Sequence, residues 1–160
     1  MRTPFMRRIQ LDNIVNCRDL GGYVCEDGSV TQFGRLWRCG IPRDPTANDM
    51  QILQDHGIKT IIDLRGDMEA VERPSAFLKH PEFSYHQISL LEVNPAITDN
   101  CVLLCDIYKK SIEKYSANYA RVFKTLAVIE TPAIFHCFLG KDRTGILASM
   151  LLTLAGVYRE

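Results

Sequence analysis

The stretch from residue 132 to residue 154 constrains the fold of this 160-residue chain more than any other. Pro132-Ala133-Ile134-Phe135-His136 is short and apolar, which predicts a buried strand. It runs without a linker into Cys137-Phe138-Leu139-Gly140-Lys141-Asp142-Arg143-Thr144-Gly145, and Ile146 to Leu154 continues apolar nearly all round, as a buried helix does. Strand, glycine-containing loop and helix in that order predict an α/β sandwich, a central mixed or parallel sheet flanked by helices. The loop is then expected at the carboxyl end of a central strand.

The remaining pattern fits that frame. Gly21 to Val30 reads as a β-hairpin turning at Asp27-Gly28, and Leu36-Trp37-Arg38 as the next strand. Thr46 or Asn48 caps a helix that runs to about His56 and stops at Gly57. Lys59 to Leu64 has the β-branched run of a buried strand, and Phe83 to Ile88 alternates like another. Two helices are expected between about Val102 and Ile129, with Tyr108, Ile112, Tyr115, Tyr119, Val122, Phe123 and Leu126 spaced as core contacts. One domain over residues 1–160 accounts for the whole chain.

Composition narrows the class. Hydrophobic residues make up 46% of the chain, enough for a core, and 19 basic residues balance 19 acidic ones. That balance argues against a nucleic-acid partner, which a basic excess would announce. Arg2, Arg7 and Arg8 precede no apolar run long enough for a secretory signal, and Ile146 to Ala155 is too short to span a bilayer. A soluble cytoplasmic protein is expected; a non-classical secretion route stays open. The six cysteines are read as reduced thiols. Cys101 and Cys105, four apart, are expected to be semi-buried helix thiols, because no second Cys or His pair completes a metal site. No cofactor and no metal are expected.

Cys137 and Arg143, six positions apart, carry the chemistry. The spacing alone is weak: six cysteines and twelve arginines in 160 residues give roughly 0.45 such pairs by chance. Context strengthens it, since this cysteine alone has the partner and lies on the strand–loop–helix segment. Backbone N–H groups of a loop that opens a helix form an anion cradle, to which the helix N-terminus adds positive potential. The planar Arg143 guanidinium grips two phosphate oxygens at once. A thiol in such a field ionises more readily, so Cys137 is expected to attack phosphorus as a thiolate. The phosphocysteine so formed is then released by water. Thr144 is expected to donate to the cysteine sulfur, and Asp142 is the nearest proton donor for the leaving group.

The run His136-Cys137-Phe138-Leu139-Gly140-Lys141-Asp142-Arg143-Thr144-Gly145 resembles the HCxxGKDRTG signature of the atypical, microbial-type tyrosine phosphatases of the dual protein and lipid class. Asn16 to Gly22, Gly34 to Arg38, and Gly57 to Arg65 followed by Glu69 and Pro74 resemble further motifs of that family, in the same order. The resemblance covers roughly residues 10 to 160. It implies Cys137 as nucleophile, Arg143 as phosphate clamp, Asp142 as general acid, and residues 138–144 as the phosphate-binding loop, able to take inorganic phosphate or sulfate. It implies phosphotyrosine protein and phosphoinositide as substrates, with Lys141 adding charge for the latter. Departures are Cys17 for an aromatic, Cys39 for serine, and Phe138-Leu139 for Thr-Ala, which narrows the expected pocket mouth.

His136 is expected to orient the loop rather than act as a base. Asp63 and Arg65 are either a second acid with a substrate contact or a structural ion pair. Arg18, Asp19 and Arg38 are expected to anchor the phosphate loop from beneath, and Asp67, Glu69, Glu72 and Arg73 to form a solvated helix face. A phosphate-binding pseudoenzyme would have lost the cysteine or the acid. A rhodanese-type sulfur transferase would not need Lys141 to Gly145. Because the chain stops soon after an apolar helix, the expectation is a domain lacking the family's C-terminal helices, with homodimerisation or marginal stability as the result.

Overall fold

Two strands of wholly buried residues, β3 (Thr60–Asp63) and β5 (Ala133–His136), lie side by side and parallel. The computed structural model describes residues 7–90 and 104–157. Arg2, Cys101, the predicted helix start at Val102 and the end of the chain at Tyr158-Arg159-Glu160 lie outside the described residues. Around the central pair the sheet runs β1-β2-β5-β3-β4, with β1 (Arg18–Asp19), β2 (Leu36–Cys39) and β4 (Ser84–Gln87). All neighbours are parallel except β1 against β2. Parallel pairing brings the carboxyl ends of four strands to one edge, where Cys39, His136, Asp63 and Gln87 follow one another in register.

Alternation along the strands feeds two cores. Trp37, Cys39, Ile61 and Ile134 pack with Leu53 of helix α1 (Ala47–Asp55) and with Ile58, Phe77 and Phe83. Ile62 and Phe135 pack in the other core, with Tyr119 and Val122 of α4 (Ser116–Leu126) and Leu147 and Ala148 of α5 (Asp142–Leu154). Helices therefore cover both faces, as expected for an α/β sandwich whose inner strands carry no polar face. Complete burial of a side chain such as Phe135 contributes about 2–3 kcal/mol.

Several local predictions are sharpened. Thr46, not Asn48, caps α1: its Oγ1 accepts from Asp49 N at 3.0 Å while Asp49 Oδ2 accepts from Thr46 N at 3.0 Å. Asp49 also accepts from Asp12 N and Asn13 N, which fastens the N-terminal segment to the helix. The predicted hairpin forms as a short reversal: Thr31 N donates to Tyr23 O at 2.9 Å, Gly22 N to Thr31 O at 2.8 Å and Cys25 N to Ser29 O at 2.8 Å, around the Val24–Val30 bridge and a turn in which Gly28 has φ +81°. Cys105 sits on α3 (Leu104–Lys114) and is exposed rather than semi-buried. On α5, Leu147 is fully buried and Leu154 is 73% exposed. Between them Leu151 and Leu152 line an apolar cleft of about 270 Å³ with Leu20 and Leu36.

Candidate active site

Cys137 follows directly on β5 and is buried; the helix α5 opens five residues later at Asp142. What shapes the turn between them is the fate of its carbonyls. Ile41 N donates to Phe138 O at 3.0 Å. Asn16 Nδ2 donates to Leu139 O at 3.2 Å and to Gly140 O at 3.0 Å. Arg38 donates to Gly140 O at 2.5 Å and to Lys141 O at 3.3 Å. His136 Nδ1 lies 3.2 Å from Cys137 O, so that nitrogen must carry the proton. A carbonyl and the following N–H point opposite ways across a trans peptide, so tying these oxygens outward turns the N–H groups of the loop inward. With the N–H groups of the first turn of α5 they form a cradle for an anion.

Gly140 is the residue the turn cannot replace. Its φ is +67°, and a Cβ there would lie 2.4 Å from Cys39 C and O. The loop thus rests directly on the end of β2.

Arg143, in the first turn of α5, is buried. Its NH1 and NH2 donate in a fork to Glu69 of α2 (Asp67–Glu72), with NH2 to Oε1 at 2.9 Å. Burial opposes the charge on Arg143, and the Glu69 carboxylate more than compensates, so the guanidinium holds its proton more firmly than usual. For Glu69 burial likewise opposes ionisation, and Arg143 holds the carboxyl below its usual range. The solvated helix face predicted from sequence therefore needs correction: Asp67, Glu72 and Arg73 are exposed, but Glu69 turns inward to the arginine.

Asp142 Oδ1 accepts from the hydroxyl of Tyr108 on α3. That bond, ahead of burial, pushes the Tyr108 phenol up to about 12. Tyr108 was expected to be a core contact; its ring carries a polar handle that the spacing rule does not register. Thr144 is buried, and its hydroxyl makes no hydrogen bond among the described residues, so the predicted bond to the cysteine sulfur is not formed here. Lys141 and Leu139 are exposed, and the half-buried Phe138 ring packs 5.0 Å from the guanidinium carbon of Arg73.

Beneath the loop, Asp63 and Arg65 form an ion pair whose side chains are both fully buried, with NH2 to Oδ2 at 2.5 Å. Arg65 Nε donates to Oδ1 at 2.9 Å, and Tyr85 donates to Oδ2 at 2.6 Å. Burial opposes ionisation of Asp63, but His136, Arg65 and Tyr85 outweigh it and hold the carboxyl below its ordinary value. Burial dominates at His136 and lowers its affinity for a second proton. Of the two sequence readings the ion pair describes the geometry; Asp63 is enclosed by partners.

Of the three predicted anchors, Arg38 grips the loop directly. Arg18 acts one step removed, through Nε to Asn16 Oδ1 at 3.1 Å. Asp19 does not reach the loop; it accepts from Gly21 N, Gly34 N and Trp37 Nε1. Asn16, at φ +59°, is the anchor that the motif contained but the residue reading did not single out. Cys17 and Cys39 are buried in the core, burial pushing the first up to about 12 and the second well above its usual value. Neither is poised as a nucleophile. Among the described residues no cluster of His, Cys, Asp or Glu could hold a metal, and no helix is long and apolar enough to cross a membrane.

Residues 9–160 match the model of the "Tyrosine phosphatase family". The chain belongs to this family. Its similarity to curated relatives is consistent with that. It is 31% identical over 166 residues to a Cupriavidus necator protein named "Putative tyrosine-protein phosphatase", covering 95% of this chain and 59% of that one. It is 34% identical over 153 residues to the "Tyrosine-protein phosphatase" of Nostoc commune, covering 84% of this chain and 52% of that one. The chain spans about half the length of these relatives. A solved structure, P. aeruginosa TpbA, is similar over 81% of this chain and 65% of its own, with 18% identity and a TM-score of 0.47.

Proposed function

We propose that this chain hydrolyses phosphate monoesters through a phosphocysteine on Cys137. The observation that carries the reading is the loop whose carbonyls are drawn outward by Asn16, Arg38 and Ile41, leaving inward N–H groups between the thiol and Arg143. The sulfur of Cys137 attacks phosphorus in line; the S–P bond forms as the P–O bond to the alcohol or phenol breaks. Asp142 gives its proton to the departing oxygen. Its carboxylate then takes a proton from water, whose oxygen attacks phosphorus, and the S–P bond breaks to release inorganic phosphate and the thiolate. Glu69 holds the planar guanidinium of Arg143 in place, and in this reading that group is the clamp for the phosphoryl oxygens. Charge on the equatorial oxygens meets the loop N–H groups and this guanidinium, the electrostatic contribution on which phosphoryl transfer chiefly depends.

Substrates in this reading are phosphotyrosine proteins, in keeping with the names of the relatives, and phosphoinositides, for which exposed Lys141 at the loop supplies charge. The test is Cys137→Ser. Turnover of p-nitrophenyl phosphate is expected to vanish while vanadate or sulfate still binds; activity near wild type would remove Cys137 from the mechanism. A panel of phosphotyrosine peptide, phosphoserine peptide and phosphoinositide, read by phosphate release, assigns the substrate.

A further inference from the structure

Against the outer side of the phosphate loop lies a polar cleft of about 390 Å³ whose walls include Arg7, Arg8, Arg18, Arg38, Lys141 and Asp19. The chain as a whole has a formal net charge of zero, so five cations around one cleft is a strong local imbalance. The one carboxylate, Asp19, offsets at most one of them, and its oxygens are held by Gly21 N at 2.7 Å, Gly34 N at 2.7 Å and Trp37 Nε1 at 3.1 Å rather than by any of the cations. Among the described residues none of the five cations forms a salt bridge.

The cations are held rather than scattered. Arg8 and Arg18 are antiparallel bridge partners, which places their side chains on the same side of the pair. The Arg7 guanidinium carbon sits 4.1 Å above the Tyr23 ring. Arg18 Nε is fixed on Asn16 Oδ1 at 3.1 Å. Arg38 is turned by its bonds to the loop carbonyls, and its Nε is a buried donor with no partner among the described residues. Burial, and after it the neighbouring Arg18 charge, weakens the hold of Arg38 on its proton, as expected where like charges crowd. Like charges gathered without counter-charges are relieved by a multivalent anion, and guanidinium forks select the tetrahedral oxygens of phosphate.

We propose that this cleft is a second phosphate-binding site, distinct from the catalytic cradle and sharing with it only Lys141. It takes a phosphate group carried by a free polyphosphate or by an inositol phosphate headgroup. Binding there needs neither Cys137 nor Arg143, so it stands apart from the proposed turnover. Because Arg38 and, through Asn16, Arg18 also hold the loop, an anion in the cleft bears on the two residues that set the shape of the cradle.

The experiment is a titration of inorganic pyrophosphate into Cys137→Ser protein at low ionic strength, followed by calorimetry and amide chemical shifts. Two sites per chain are expected. Arg143→Ala, in the same background, is expected to abolish one site and keep the shift changes at Arg8, Arg18 and Tyr23. The double change Arg7→Gln/Arg8→Gln, or Arg8→Gln alone if the double variant is unfolded, is expected to weaken the other site at least tenfold and spare shifts at residues 138–144. A single site per chain, or a second site indifferent to Arg8, overturns the proposal. Soluble inositol trisphosphate in place of pyrophosphate identifies the source: tighter binding assigns the headgroup, weaker binding the free polyphosphate.

Discussion

Arg143 and Asp142 are adjacent in sequence, yet each is oriented by a different helix. Glu69 on α2 grips the guanidinium, and Tyr108 on α3 grips the carboxyl. Glu69→Gln keeps the shape and loses the charge, so kcat/KM for aryl phosphates is expected to fall about tenfold or more, or ~1.4 kcal/mol of transition-state stabilisation. Steady-state kinetics checks it; an unchanged value would leave the pair merely structural. Asp142→Asn is expected to cost about 10²–10⁴-fold on alkyl phosphates, whose leaving group needs a proton, and far less on p-nitrophenyl phosphate. Tyr108→Phe is expected to follow the same substrate pattern with a smaller loss, measured as the ratio of the two rates. Neither orienting residue was legible in the sequence, for a physical reason. The partners stand 74 and 34 positions away, and a residue pattern reports the face of a helix without the rotation that aims one side chain. Asp63 and Arg65, two apart on one strand end, were legible as a pair; only the enclosing burial decides between acid and ion pair.

The order β5–loop–α5 was readable, with the strand within a residue and the helix end at Leu154, because the period-switch from strand to helix is a local signal. The helix opens at Asp142, ahead of the predicted Ile146, because its first turn is polar and carries no apolar period. The hairpin was legible for the same reason: the Asp-Gly turn fixes the reversal locally, and Tyr23, Cys25, Ser29 and Thr31 close it with backbone hydrogen bonds. Gly140 tests how far the loop depends on its seat. Alanine there must place a methyl within the Cys39 backbone while holding φ at +67°. Gly140→Ala is expected to destabilise the protein by roughly 1–3 kcal/mol, the scale of a strained left-handed residue. It should also lose phosphate or vanadate affinity beyond what the stability change explains. Urea unfolding and vanadate inhibition, measured on one preparation, separate the two effects.

For the molecule as a whole, the buried Asp63–Arg65–His136 group ties fold stability to pH. His136 binds its second proton less readily when folded, so the stability it lends is complete above about pH 6.5 and declines as pH falls below that. Asp63 and Glu69 are held below their ordinary values; their contributions persist until pH drops below about 4 and are then lost. Urea midpoints are therefore expected to fall in two stages on acidification, and His136→Gln is expected to flatten the first. Asp63→Asn leaves Arg65 buried without its counter-charge and is expected to cost about 3–5 kcal/mol at neutral pH. A further consequence concerns the order in which the protein becomes itself. Asn16 closes on Gly140 across 124 positions, and Arg38 across 102. During synthesis these anchors leave the ribosome long before the loop they shape exists. Closing so long a span is a slow search, and the cradle forms only when it succeeds. In refolding experiments the recovery of vanadate binding should accordingly trail the return of helical signal, with Asn16→Ala lengthening the delay.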